Sequence, residues 1–146
     1  MAEVLFYHLE RSRAEDVLPD LLEKSLARRW RAVLRLPDRD AVEAMDRHLW
    51  EYRDESFLPH GTDADAARHP IWLTDSETVP DDRDILFVLG GAPVPMSALG
   101  GLTRTVLLFT PAEAGPAREV WRDVKEQGLK ASYWRQTPAG KWEQAA

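Results

Sequence analysis

Ile85-Leu86-Phe87-Val88-Leu89 is an uninterrupted apolar run, set between the charged turn Asp81-Asp82-Arg83-Asp84 and the breaker Gly90-Gly91-Ala92-Pro93. A strand with one wet face alternates apolar and polar residues. A run with no polar face has to be covered on both sides, which is the situation of a strand in a parallel sheet between helical layers. The rest of the chain supplies the other parts of such a fold. Val4–Leu9, Trp30–Leu36, Ile71–Leu73 and Thr103–Phe109 read as strands, and Leu129–Arg135 and Trp142 as short, edge-type strands. Between them lie helical periodicities. The first runs from Asp16 to Arg29, with Val17, Leu18, Leu21, Leu22 and Leu26 on one face and Pro19 expected in its first turn. The second is capped by Asp38 or Asp40 and runs to Trp50, with Ala41, Val42, Met45 and Leu49 as its stripe. The third spans Ala112–Gln127 and stops at Gly128. Strands alternating with helices give an α/β fold: a single three-layer Rossmann-like domain over residues 1–146, with a largely parallel central sheet and right-handed crossovers.

The chemistry-bearing motifs are missing from the places where this fold usually carries them. The first strand is followed by Glu10-Arg11-Ser12-Arg13, not by G-x-G-x-x-G, and no G-x-x-x-x-G-K-[ST] occurs, so a nucleotide-binding loop is not expected. With 0 cysteines there is no thiolate nucleophile, disulfide framework or Cys-based metal site. The pairs Gly90-Gly91 and Gly100-Gly101 read as turns. Four histidines show no helical metal spacing. His60 and His69 share a loop with Asp63 and Asp65, a weak metal-site pattern beside a simple turn role. No G-x-S-x-G elbow and no distinct carboxylate pair is present. Neither catalysis nor a cofactor is therefore expected. The net charge of −6 argues against a surface that coats nucleic acid. No apolar stretch approaches the ~20 residues of a membrane span. The first residues lack a basic n-region, so a cytoplasmic protein is the expectation.

Two patterns point to binding. On the third helix, Arg118, Arg122 and Lys125 fall within about 60° of one another at 100° per residue. Ala117, Val120 and Val124 point to the core, and Trp121 lies on the border between the two. A cationic stripe edged by an indole suits an acidic peptide bearing an apolar residue, although a solvated helix face gives the same pattern. The second pattern is Trp50, Tyr52, Phe57 and Leu58, followed by Pro59, at a helix exit. Trp50 lies roughly 120° from the centre of its helix stripe. Large aromatics that cannot reach their own core commonly meet a partner, the alternative being a loop folded over the sheet edge.

At these residues the chain resembles the chi subunit of bacterial DNA polymerase III. The matching pieces are Phe6-Tyr7-His8-Leu9, Leu49-Trp50, Glu55-Ser56-Phe57-Leu58-Pro59-His60, Arg83-Asp84-Ile85-Leu86 and Ala117-Arg118-Glu119 with Trp121-Arg122. They keep the family order and cover essentially the whole chain, and the E-S-F-x-P-H block is the most specific of them. The resemblance implies a non-catalytic adaptor in DNA replication with a Rossmann-like fold and no nucleotide site. It implies binding of the acidic, phenylalanine-ended C-terminal tail of single-stranded DNA-binding protein through Arg118, Trp121 and Arg122, with Lys125 extending the stripe. It also implies a surface for the psi subunit, or another clamp-loader or helicase partner, at Trp50 and Phe57 with Leu58 and Pro59. Contact with nucleic acid would then be indirect, and no membrane is involved. Trp121 stands where family members commonly carry tyrosine, so any hydrogen bond from a hydroxyl there is lost. The competing expectations are a nucleotide-using enzyme of the same fold and a module that binds single-stranded DNA directly.

Overall fold

A computed structural model describes residues 2–51 and 58–146 of the chain. The elements are β1 (Glu3–His8), α1 (Ala14–Ala27), β2 (Ala32–Arg35), α2 (Arg39–Glu51), β3 (His60–Gly61), β4 (Ile71–Thr74), β5 (Ile85–Val88), β6 (Arg104–Phe109), α3 (Ala114–Glu126), β7 (Lys130–Gln136) and β8 (Trp142–Gln144). Short 3₁₀ turns occupy Ala66–Arg68, Met96–Gly101 and Pro111–Glu113. The strands form one sheet in the order β3-β4-β2-β5-β6-β1-β7-β8. Every pairing is parallel except β7 with β8.

The apolar run that dictated two covered faces splits between them. Ile85, Phe87 and Leu89 pack with Leu18, Leu22, Val42, Met45 and Leu49 of α1 and α2. Leu86 and Val88 pack on the other side, with Ala117 and Val124 of α3 and with Ala92, Leu99 and Leu102 of the segment after β5. The result is a three-layer α/β fold, as the sequence pattern requires.

Local chemistry sets the helix limits. Asp38 Oδ1 accepts the Ala41 amide at 2.8 Å and so caps α2. Thr110 and Glu113 form a capping box ahead of α3. The α1 helix begins at Ala14, two residues earlier than its periodicity suggests, so Pro19 lies inside the helix and not in its first turn. Proline has no N–H to donate to the carbonyl four residues back. Here that carbonyl belongs to Glu15, and His48 Nε2 of α2 donates to it at 2.7 Å. The break in one helix is thus used to hold the next.

Arg83 closes the far end of the sheet. Its side chain is fully buried and donates to the carbonyls of Ala32, Ala66, His69 and Pro70 and to the Asp82 carboxylate. One planar guanidinium thereby joins the start of β2, the turn at Ala66–Arg68 and the entry to β4.

Candidate functional site

The α3 stripe forms as its spacing predicts. Ala117 and Val124 are buried, Val120 is half-buried, and Arg118, Arg122 and Lys125 are exposed. None of these three cations has a carboxylate within 4.0 Å among the described residues. Three cations without a carboxylate partner among the described residues are a local departure on a chain of net charge −6.

Trp121 is half-buried beside them, and its surroundings make a pocket. Its indole meets Phe6 of β1 edge-on, with centroids 5.1 Å apart, and Tyr133 of β7 at 6.5 Å and 90°. Lys125 Nζ lies 5.6 Å from the indole centroid. The sheet brings the floor together: Phe6 is level with Tyr133 on one side, and His8 with Phe109 on the other. The pocket has a volume of about 320 Å³, with Phe6, His8, Phe109, Ala117, Trp121 and Tyr133 around it and Arg118 at its edge.

Polar groups stand at one end of this largely apolar space. His8 Nδ1 and the Tyr133 hydroxyl share a 2.7 Å hydrogen bond, and the His8 ring stacks on Phe109 at 4.7 Å. Glu10 Oε1 lies 3.4 Å from His8 Nδ1 and 3.5 Å from Arg135 Nε. Burial, and then the Glu10 carboxylate, push the Tyr133 phenol above its ordinary value against Arg135 and Arg118. At neutral pH the hydroxyl therefore keeps its proton. The arrangement can take an apolar or aromatic side chain inside and a carboxylate at the rim, where Arg118 lines the pocket with no carboxylate partner among the described residues and Arg122 follows one turn along α3.

His8, Phe6, Phe109 and Tyr133 were absent from the sequence-based site. The available signal was the period-two alternation of β1, which sends Val4, Phe6 and His8 to the α3 face. Nothing in the sequence says that β1 lies between β6 and β7.

The second predicted surface divides. Trp50 is the one large exposed apolar residue among those described, at 51%, and its ring lies 4.3 Å from that of His60. Pro59 is half-buried. Leu58 is not a surface residue: it is 1% exposed and belongs to the core beneath α1 and α2, so it supports this region from below and cannot itself touch a partner. Tyr52 and Phe57 lie outside the described residues.

The crevice where this fold class usually takes a nucleotide lies at the carboxyl ends of β1 and β6, whose crossovers leave on opposite faces. There the amides of Arg11 and Ser12 donate to Gln136 Oε1 at 2.8 and 3.1 Å. A side chain of this chain thus occupies donors that a phosphate would use. In the loop before β4, His69 Nε2 bonds Asp63 Oδ1 at 3.1 Å, while His60 turns away to Asp46. No cluster of three or more potential metal ligands occurs among the described residues. Nor is any helix among them long and apolar enough to cross a membrane.

A family model described as DNA polymerase III chi subunit, HolC, matches residues 1–132. The chain belongs to the chi-subunit family. The family, by its description, is that of a DNA polymerase III subunit. A probable DNA polymerase III subunit chi of Rickettsia prowazekii (strain Madrid E) is 26% identical over 91 residues, 61% of this chain and 55% of that protein. The matched region thus spans about half the length of that relative. The DNA polymerase III subunit chi of Pseudomonas aeruginosa is 27% identical over 108 residues, 74% of this chain and 76% of that protein. In this chi-family chain the α3 stripe and its pocket lie wholly within residues 1–146, and all but Tyr133 of the pocket residues named above lie within the matched 1–132.

Proposed function

We propose that the chain is a non-catalytic adaptor of the DNA polymerase III assembly. In this reading α3 receives the acidic, phenylalanine-ended C-terminal tail of single-stranded DNA-binding protein. Trp50, with Pro59 and Phe57, meets the psi subunit or another clamp-loader or helicase partner. The terminal phenylalanine enters the pocket bounded by Phe6, Phe109, Trp121 and Tyr133. Arg118 and Arg122 hold the terminal carboxylate and neighbouring acidic side chains, and Lys125 extends the attraction along the helix.

The observation that carries this reading is the pairing of an apolar, aromatic-walled pocket with a cation at its edge, Arg118, that has no carboxylate partner among the described residues. A free nucleotide would want backbone amides at the β1–α1 loop, and two of those are held by Gln136. Single-stranded DNA would want a row of open aromatic faces, whereas Trp121 is flanked by Phe6, Tyr133 and Lys125.

The experiment is titration of the protein with a ten-residue tail peptide, followed by tryptophan fluorescence, with the same peptide lacking its last phenylalanine as control. Charge-assisted hydrogen bonds contribute about 1.5–3 kcal/mol. Arg118→Ala is therefore expected to weaken binding about tenfold or more, and removal of the phenylalanine to abolish it. Binding indifferent to both changes overturns the assignment of the site.

A further inference from the structure

The face of the sheet opposite α3 carries a second group of cations. It lies where the last turn of α1 meets the amino ends of β1, β6 and β7. Trp30, just after α1, has two guanidinium groups over its ring: Arg28 Cζ is 4.9 Å and Arg104 Cζ 5.2 Å from the centroid. Arg104 Nε is bonded to Glu3 Oε1 at 2.6 Å. Lys24 and Arg28 are exposed, and neither has a carboxylate within 4.0 Å among the described residues. Glu3 is level with Arg104 on one side and with Lys130 on the other. Lys130 is in phase with Trp134, which packs on the α1 face, so it extends the group across the sheet.

These residues enclose a cavity of about 130 Å³ between Lys24, Arg28, Trp30 and Arg104, with Tyr7 at its side and core residues beneath. Burial raises the Tyr7 phenol above its ordinary value, against the pull of Arg104, so at neutral pH it is a neutral hydroxyl. The described residues lining this space include three cations, Lys24, Arg28 and Arg104, and no carboxylate; Glu3 holds Arg104 from beside it, and Asp20 shares the neighbouring pocket with Lys24. The surplus is local: the chain as a whole is at −6.

We propose that this cavity is a second anion-docking site, on the α1 side of the sheet, whose occupant is a carboxylate-bearing acidic segment of a partner protein. Guanidinium groups at a small, partly apolar cavity are suited to grip one carboxylate bidentately. A nucleic acid fits less well. Its bases need an open ring to stack on, and Trp30 is committed to Arg28 and Arg104. A long polyanion also meets the repulsion of the net negative chain, which a short acidic segment reaching one local patch largely escapes. The site is independent of the α3 pocket and stands whether or not α3 takes a tail peptide.

The test uses the ¹⁵N-labelled full chain at low salt with two probes: a ten-residue alternating Asp-Glu peptide without aromatics, and a twenty-nucleotide oligothymidine. The peptide is expected to shift the Trp30 indole N–H and the Arg28 and Arg104 Nε–H resonances saturably. Arg28→Glu and, separately, Lys24→Glu are expected to weaken that response about tenfold, while Arg118→Glu leaves it unchanged. Both substituted positions are exposed, and the two variants check each other against a folding defect. Shifts confined to Trp121 and α3, or a response indifferent to both α1 variants, overturn the proposal. Tighter saturable binding of oligothymidine at the same resonances overturns the acidic-segment assignment in favour of nucleic acid.

Discussion

Two arginines buried in this chain are expected to respond oppositely to substitution, because burial alone does not fix the contribution of a charge. Arg83 and Arg35 both have their guanidinium pulled below its ordinary value by burial. Arg83 is repaid by four carbonyls and the Asp82 carboxylate. Arg35 is 2% exposed, its Nε and Nη1 have no hydrogen-bond partner among the described residues, and its Nη2 is 3.9 Å from the exposed Glu77. Removing a well-partnered buried charge strands the groups around it, at about 3–5 kcal/mol, whereas replacing a poorly partnered one with an apolar side chain of similar volume is often stabilising by about 1–4 kcal/mol. Arg83→Ala is therefore expected to lower unfolding stability by at least 3 kcal/mol, with Arg83→Lys recovering little, since a single ammonium cannot reproduce the guanidinium fork. Arg35→Met is expected to raise it. Urea unfolding of the three variants measures both signs, and a destabilised Arg35→Met would mean that ordered water or a bound anion completes the Arg35 shell.

At the scale of the element, α3 is the part on which the proposed binding rests, and its end is fixed by one residue. Gly128 has φ = 74°, its amide donates to the Lys125 carbonyl, and the Leu129 amide donates to that of Val124. This is the Schellman arrangement, with Leu129 and Val124 in the same core. It turns the chain into β7 and so sets Tyr133 against Trp121. A non-glycine residue in this conformation costs about 1–2 kcal/mol. Gly128→Ala is expected to lose that much stability in denaturant unfolding and to loosen the peptide site, read as a weaker fluorescence response to the tail peptide. Unchanged stability would place the helix stop elsewhere. The stop was legible in the sequence, as were the α3 stripe and the outward Trp50, because each follows from 3.6-residue periodicity or from a glycine's conformational range. The true start of α1 was not, since Pro19 is tolerated there only because His48, 29 positions later, serves the Glu15 carbonyl. The two-residue β3 carries no period to read. The pocket floor also escaped, because Phe6, Phe109 and Tyr133 meet only through a sheet order that local pattern does not encode.

At the scale of the whole molecule, α2 with Trp50 and α3 with the cationic stripe lie on opposite faces of one sheet, whose central strands are buried on both sides. Helices separated in this way share no side-chain partner, and independent sites combine additively within about 0.3–0.5 kcal/mol. The two proposed arms also differ in physics. The α3 arm is built on exposed charge, which salt screens: the Debye length falls from about 10 Å at 0.1 M to about 3 Å at 1 M. The Trp50 arm is built on apolar area, which salt does not screen. Trp50→Ala is therefore expected to leave tail-peptide affinity unchanged, and Arg118→Ala to leave binding of the psi-type partner unchanged. In an assay that requires both contacts, the two losses should multiply. Raising salt from 0.1 to 1 M should weaken the tail arm in proportion to the cations retained, less in an Arg122→Ala, Lys125→Ala double variant, while the partner arm holds. Calorimetric titrations of each ligand, alone and with the other bound, measure all of this. A coupling well beyond 0.5 kcal/mol between Trp50→Ala and Arg118→Ala would mean that the sheet transmits strain between its faces, and that the molecule works as a switch and not as a rigid two-sided connector.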